Sequence, residues 1–267
     1  MALNGETRLF PIIGDPIAQV RSPQFLSAIL AQRGVNALVP PLHVKPADLP
    51  ALMAVLASTQ NVDGIVVTIP HKVSALAYCT QVSERAVFVG SVNIMRKLPD
   101  GGFVGDNVDG IGYLDGMAKE GFNVTGKRAL LVGVGGAGSA VAFEILQRGA
   151  SYLAIHDLDV SRRDAIIQRL AAKFPGKVGV GSPDPSGFDL VANVTPVGMK
   201  AGDPYPVDVH KLDKGQFVAD AITRPEVSPL VAFARTVGCN TMIGAGMFNA
   251  EADILVDFML GLGKASV

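Results

Sequence analysis

Cysteine is scarce in this chain. Cys79 and Cys239 are the only two in 267 residues; they lie far apart and form no C-x-x-C pair, which excludes a disulfide framework and a thiolate metal site and fits a reducing compartment. Histidine is scarce as well: His43, His71, His156 and His210 are scattered without the spacing of metal ligands, so no metal is expected. Neither sign of charge prevails, with 23 Lys plus Arg against 24 Asp plus Glu. Without a basic field there is no reason to expect nucleic acid or anionic lipid as a partner. Long apolar runs are missing too. None approaches the roughly 18 residues that cross a bilayer, and the opening "MALNGETRLFPIIG" has no basic stretch ahead of an apolar one. The expectation is a cytoplasmic protein, neither exported nor membrane-anchored, that handles a small molecule.

Apolar residues, by contrast, make up 49% of the chain, enough to fill one large or two ordinary cores. From Thr7 to about Gly105, runs of strand type ("RLFPIIG", "NALVPPLHV", "VDGIVVTIP") alternate with helical patterns ("PQFLSAILAQRG", "ADLPALMAVLAS"). That alternation predicts an α/β unit with a mainly parallel sheet. A second series opens near Lys127: "RALLVGVGGAG" as strand and glycine turn, "SAVAFEILQRG" as helix, "SYLAIHD" as strand, "VSRRDAIIQRLAAKF" as helix, then "FDLVANVT" and "QFVADAI" as strands. This is the order of a doubly wound nucleotide-binding fold. "NVDGIGYLDGMAKEGFNVTGK" reads as the connection between the two, and "GAGMFNAEADILVDFMLGLG" as a terminal helix returning to the first domain. The expected divisions are 1–109, 110–242 and 243–267.

Gly133, Gly135 and Gly138 satisfy G-x-G-x-x-G, with Gly136 and Ala137 inside it, directly after "RALLV" and before a helix. The three glycines serve three steric needs, which are a tight turn, room for backbone beside a pyrophosphate, and close contact of helix with strand. The pattern alone fits an ordinary strand-to-helix turn. Asp157, closing the next strand, supplies the acid that the dinucleotide fingerprint requires. A carboxylate there accepts hydrogen bonds from the adenosine ribose and repels a 2′-phosphate, so Asp157 and Asp159 favour NAD over NADP. Arg162 and Arg163 complicate this, since either can swing toward a phosphate; the plain alternative puts them on the solvated first turns of a helix.

Seven motifs stand in one order along the chain: "GDPIAQVRSP", "VTIPHK", "GSVN", "GDNVDG", "GVGGAGSA", "NVTPVGM" and "GAGMFNAEA". With them the chain resembles the shikimate dehydrogenase family over nearly its whole length. The resemblance implies a substrate-binding and catalytic domain, a Rossmann-type dinucleotide domain, and oxidation of a ring hydroxyl on a cyclohexene or cyclohexane carboxylic acid. It makes Lys72 of "TIPHK" and Asp109 of "NVDG" the catalytic pair. It places Ser22, Thr68, Asn93 and Glu251 on the substrate, with Val20 where a second serine is usual. On the cofactor it places Thr195, Pro196 and Val197 beside adenine and ribose, Asp157, Leu158 and Asp159 where the family has a phosphate-binding Asn-Arg-Thr, Ile222 after the "VAD" strand, and Gly244 and Met247 near the nicotinamide. A homodimer and a single chain are both left open.

The need for such a pair is general. Removing a hydride from a secondary alcohol gives a ketone only if the hydroxyl proton departs too, so a proton acceptor must touch that oxygen. Lysine is a poor base near its reference pKa of about 10.4. Partial burial favours its neutral form, whereas a nearby carboxylate orients it and pushes the other way. Which of Lys72 and Asp109 carries the proton is open. The plainer alternatives are a surface lysine at a strand end for Lys72, a helix cap for Asp109 and helix core for Met247. His71 is expected to point away from Lys72 and to serve structure.

The recognition groups depart from the family pattern. Val20, Val66, Ile94 and Val108 replace polar side chains, Glu251 replaces Gln, and Ile222 and Thr223 stand where a Tyr is usual. Each lost buried hydrogen-bond partner costs about 1 to 3 kcal/mol, so the expected substrate is shikimate, used weakly, or a relative such as quinate or an amino-substituted ring acid. The expected protein is therefore an NAD-preferring dehydrogenase. A catalytically silent NAD-binding sensor or regulator is the alternative of another class; it accommodates Val20, Val66 and Val108 but gives no reason to keep both Lys72 and Asp109. A tetrahydrofolate-linked dehydrogenase fits "GSVN" and "NVDG" less well.

Overall fold

The computed structural model describes residues 3–262. They form two compact units: one holds the residues up to Val108 together with those from Ala252 on, the other holds Asp109–Glu251.

In the first unit a six-stranded sheet runs in the order Pro41–His43, Ile12–Gly14, Gly64–Val67, Ile94–Lys97, Phe103–Asp106, Gln81–Val82. The first three are parallel, but Ile94–Lys97 is antiparallel to both neighbours, so this sheet is more mixed than the apolar runs suggest. The cause is local. "KLPDGGF" closes a tight turn in which the Leu98 N–H donates to Gly102 O at 2.7 Å and Gly101 takes φ 87°, a conformation that glycine adopts without strain. Two runs read as single strands are each divided at a proline, Pro11 and Pro40, and their first halves, Arg8–Leu9 and Ala37–Leu38, pair as a small separate sheet. Proline has no N–H to give a ladder. All four residues of Gly64–Val67 are buried; Ile13, Ile65, Val67, Met53 and Met95 lie in the core around it.

The second unit is a wholly parallel sheet: Val178–Val180, Tyr152–His156, Arg128–Val132, Leu190–Asn193, Phe217–Asp220, Asn240–Met242. In chain order that is 3-2-1-4-5-6, the doubly wound arrangement, with the order reversing between Arg128–Val132 and Leu190–Asn193. The outermost strands, three residues each, are too short to show a period of two in the sequence. The stretch read as a connection holds the division between the two units, at Val108 and Asp109, and continues as the helix Asp109–Lys119. A Cβ on its Gly110 would collide with the Ala140 carbonyl, so this helix and Gly136–Gln147 approach as closely as glycine permits. The terminal helix, Gly244–Met259, is divided: Gly244 to Glu251 count with the second unit and Ala252 onward with the first, where Asp253 and Asp257 pair with Arg33 at 3.0 and 2.5 Å. Among the described residues no helix is long and apolar enough to cross a membrane.

Candidate active site

The carboxyl ends of Ile12–Gly14, Gly64–Val67 and Phe103–Asp106 lie on one edge of the first unit's sheet, with the amino end of the antiparallel Ile94–Lys97 among them. Open α/β sheets bind ligands at that edge. The candidate substrate residues of this unit follow from it. Thr68 leaves Gly64–Val67, Lys72 opens the short helix Lys72–Ala75, and Ser22 opens Ser22–Gln32 just past the half-buried Val20. Asn93 bridges two strands, donating its N–H to Asp106 O at 2.9 Å and accepting from Val67 N–H at 2.8 Å. Gly14 is required here, because a Cβ would sit 2.5 Å from Thr68 Cγ2 and 3.0 Å from Ile69 O. His71 is buried, its Nε2 2.7 Å from Val44 O.

Sequence reasoning missed the polar brace behind this edge. Asp106, 1% exposed, accepts from Ser83 Oγ, from Arg85 Nε and Nη2 at 2.8 and 2.5 Å, and from the Asn107 N–H at 2.7 Å. Asn107 Nδ2 donates to Ser91 Oγ at 3.0 Å, and the Val108 N–H to Asn93 Oδ1 at 3.0 Å. The brace therefore holds "GDNV" in place up to the residue before Asp109. Asp109 itself is buried as the first residue of its helix, the end at which the helix dipole favours a carboxylate. Ser83, which caps Glu84–Val89 by accepting from Ala86 N, is the one member with a sequence signal, a Ser before a charged first turn.

In the second unit a cavity of about 510 Å³ opens where the strand order reverses. Gly133, Gly135 and Asp157 of the fingerprint line it, with Leu158 and Thr195 to Val197, which the resemblance placed on the cofactor; Arg162, weighed between a phosphate contact and a solvated helix turn, lines it too, as do Pro183 and Pro204 to Pro206, which were not anticipated. The glycines divide their labour as expected. Gly133 has φ 90°, and a Cβ there would lie 2.5 Å from Thr195 Cγ2; a Cβ on Gly138 would strike the Gly133 carbonyl. Gly135 and Gly136 face open space at the start of Gly136–Gln147, where free amides suit a pyrophosphate. A dinucleotide fits this loop.

Asp157 Oδ2 accepts from the Val134 N–H at 2.8 Å, and Oδ1 from the Asp159 N–H at 2.8 Å and Arg162 Nη2 at 3.3 Å. Burial pushes this carboxyl up, but the two amides and the guanidinium outweigh it and hold Asp157 below its ordinary value. Leu158 is 88% exposed beside it. Asp159 lies off the cavity, capping Val160–Lys173 by accepting from the Arg162 N–H at 3.0 Å. Arg163 pairs with Asp164 at 2.8 Å. Gly136, Ala137, Gly138, Ile222, Gly244 and Met247 also do not line it; Gly244 sits against the Ile222 carbonyl with no room for a Cβ. Glu251 is buried, with Gly112 leaving space for its Cβ.

The Thr195 turn is secured from below. Thr195 Oγ1 donates to Asn193 Oδ1 at 2.7 Å and accepts from the Val197 N–H at 3.1 Å. Asn193 Nδ2 donates to Asp220 Oδ1 at 3.1 Å, and Ser228 Oγ to Asp220 Oδ2 at 2.6 Å. Burial pushes the Asp220 carboxyl above its ordinary value, against those hydrogen bonds. Thr195→Val keeps the volume and removes both Oγ1 bonds, each worth about 1 kcal/mol. The expected result in steady-state kinetics is a rise of about tenfold in the dinucleotide KM with kcat little changed.

Comparison with known proteins gives a consistent set of likenesses. The family model described as the shikimate dehydrogenase substrate binding domain matches residues 12–95. A shikimate dehydrogenase (NADP(+)) of Rubrobacter xylanophilus is 36% identical over 248 residues, 91% of this chain and 87% of its own. A crystal structure of a shikimate dehydrogenase in complex with NADP+ superimposes with a TM-score of 0.91 at 28% identity, covering 97% of this chain and 92% of the other. Quinate dehydrogenase from Corynebacterium glutamicum in complex with NAD gives 0.87 at 28% identity, covering 96% and 94%.

Proposed function

The chain belongs to the shikimate dehydrogenase family, an oxidoreductase acting on CH–OH, and on that footing we propose that it is an NAD-preferring member working on a cyclic hydroxy acid. The substrates in view are shikimate with 3-dehydroshikimate, quinate, or an amino-substituted analogue.

The environment of Asp157 carries the cofactor reading. Its carboxylate is held by two backbone amides at the cavity wall, where it accepts from ribose hydroxyls and opposes a 2′-phosphate. Arg162 lines the same wall, but its guanidinium is turned onto Asp157 and Asp159, at 3.3 and 3.6 Å. At the neighbouring position the exposed Leu158 offers a phosphate no charge. The curated relatives named NADP(+)-dependent make this the point to test.

When bound, the nicotinamide takes or gives the hydride. Lys72 and Asp109 handle the proton at the reacting oxygen, Asn93, Ser22 and Thr68 hold the ring substituents, and Val20 offers the carboxylate no hydroxyl. Glu251, when ionised, only accepts hydrogen bonds, and so selects a hydroxyl or ammonium on the substrate.

The test is a screen of cyclic hydroxy acids with NAD and NADP, followed by absorbance of the reduced cofactor. The expected kcat/KM is about tenfold or more in favour of NAD, and Leu158→Arg with Asp159→Thr moves it toward NADP by a similar factor. Equal or better turnover with NADP overturns the preference. Cofactor binding without turnover of any acid favours the silent sensor instead.

A further inference from the structure

We propose that His71 is a positioning residue for the reaction: its imidazole holds the Lys72 backbone in place by bonding across the sheet edge to Val44. This rests on the reading of Lys72 as a member of the catalytic pair.

Lys72 follows a loop that leaves Gly64–Val67 and has no strand on which to lie. Five backbone bonds hold that loop and its exit: Thr68 N–H to Ile13 O at 3.0 Å, Asp15 N–H to Ile69 O at 2.9 Å, His71 N–H to Thr68 O at 3.0 Å, Ala75 N–H to His71 O at 2.8 Å, and Val92 N–H to Lys72 O at 2.9 Å. The ring adds a side-chain tie across the sheet. His71 is 1% exposed and its Nε2 stands 2.7 Å from Val44 O. A carbonyl only accepts, so Nε2 carries the hydrogen of this contact. Val44 is itself tied, its N–H donating to Gly14 O at 3.0 Å. In the strand order Pro41–His43, Ile12–Gly14, Gly64–Val67, the ring thus reaches past the end of the middle strand and joins the lysine's loop to the outer one.

A buried histidine with one hydrogen bond could serve stability alone. What separates the two roles is the neighbour: a displacement of about 1 Å at a reacting group costs about a hundredfold in rate, whereas a stability defect does not change turnover in molecules that remain folded. The ring has a further requirement that packing lacks, a donor at its far end. Glutamine can place an N–H at the reach of Nε2, and asparagine falls short.

The experiment measures kcat, substrate KM, NAD affinity by fluorescence titration and thermal midpoint for His71→Phe, His71→Gln, His71→Asn and Lys72→Ala. The expected results are a fall of about a hundredfold in kcat for His71→Phe with NAD affinity unchanged, recovery to within about fivefold of the parent in His71→Gln but not in His71→Asn, and no further loss when His71→Phe is added to Lys72→Ala. Wild-type kcat in His71→Phe beside an inactive Lys72→Ala overturns the proposal and leaves the lysine reading intact. An active Lys72→Ala overturns the lysine reading, and the proposal with it. Should His71→Phe fail to fold, equal kcat in the Gln and Asn variants overturns it.

Discussion

Lys72→Ala is expected to lower kcat by about a thousandfold or more while leaving NAD affinity within twofold. Positioned proton transfer contributes about 10² to 10⁴ in rate, and the role proposed for the group removed is to carry that proton or assist its carrier. The fingerprint loop and Asp157 lie in the second unit, so truncating a side chain of the first removes none of their groups. Lys72→Arg is expected to be almost as poor despite keeping the charge, because a guanidinium does not deprotonate in a protein. Steady-state rates, with fluorescence titration of the cofactor, check both variants. A Lys72→Ala protein retaining a tenth of the parent rate removes this lysine from the chemistry.

Arg85→Met is the second large effect, and it falls on stability. The Asp106 side chain is 1% exposed and the Arg85 side chain 23%. Removing the guanidinium leaves a buried carboxylate with only Ser83 Oγ and the Asn107 N–H. Breaking a buried pair from one side costs about 3 to 5 kcal/mol, and the partial exposure of Arg85 puts the expectation at the lower end. For a chain of this size that is a fall of about 10 °C in the thermal midpoint. Adding Asp106→Asn is expected to recover most of it, since the buried charge then goes too. If Arg85→Met melts within 2 °C of the parent, as judged against the scale of about 2–4 °C per kcal/mol, Asp106 draws its stabilisation from elsewhere.

The doubly wound unit was legible because its signals are local. Gly133, Gly135 and Gly138 sit between an apolar strand and a helix, and Asp157 ends the next strand; each constraint acts within a few residues of its cause. The mixed sheet of the first unit was less so, because Ile94–Lys97 and Phe103–Asp106 are four residues each and the turn joining them offers no long period. Asp106 escaped notice for a different reason. It lies in a strand whose four residues are all buried, so alternation does not mark it, and its partner Arg85 stands 21 positions earlier. Arg162, Pro183 and Tyr205 reach the cavity from a helix and from loops whose paths only the tertiary fold sets. In the connecting stretch the glycines at 110, 112 and 116 let the helix Asp109–Lys119 pack closely, a requirement set by residues distant in sequence.

The first unit is discontinuous in the chain, resuming at Ala252 after the whole of Asp109–Glu251. A ribosome therefore finishes the dinucleotide-binding half before it releases the stretch carrying Asp253 and Asp257, which Arg33 awaits. The first unit can therefore be completed only after the whole of the second has been synthesised, so in a nascent chain the second unit is the one able to fold first.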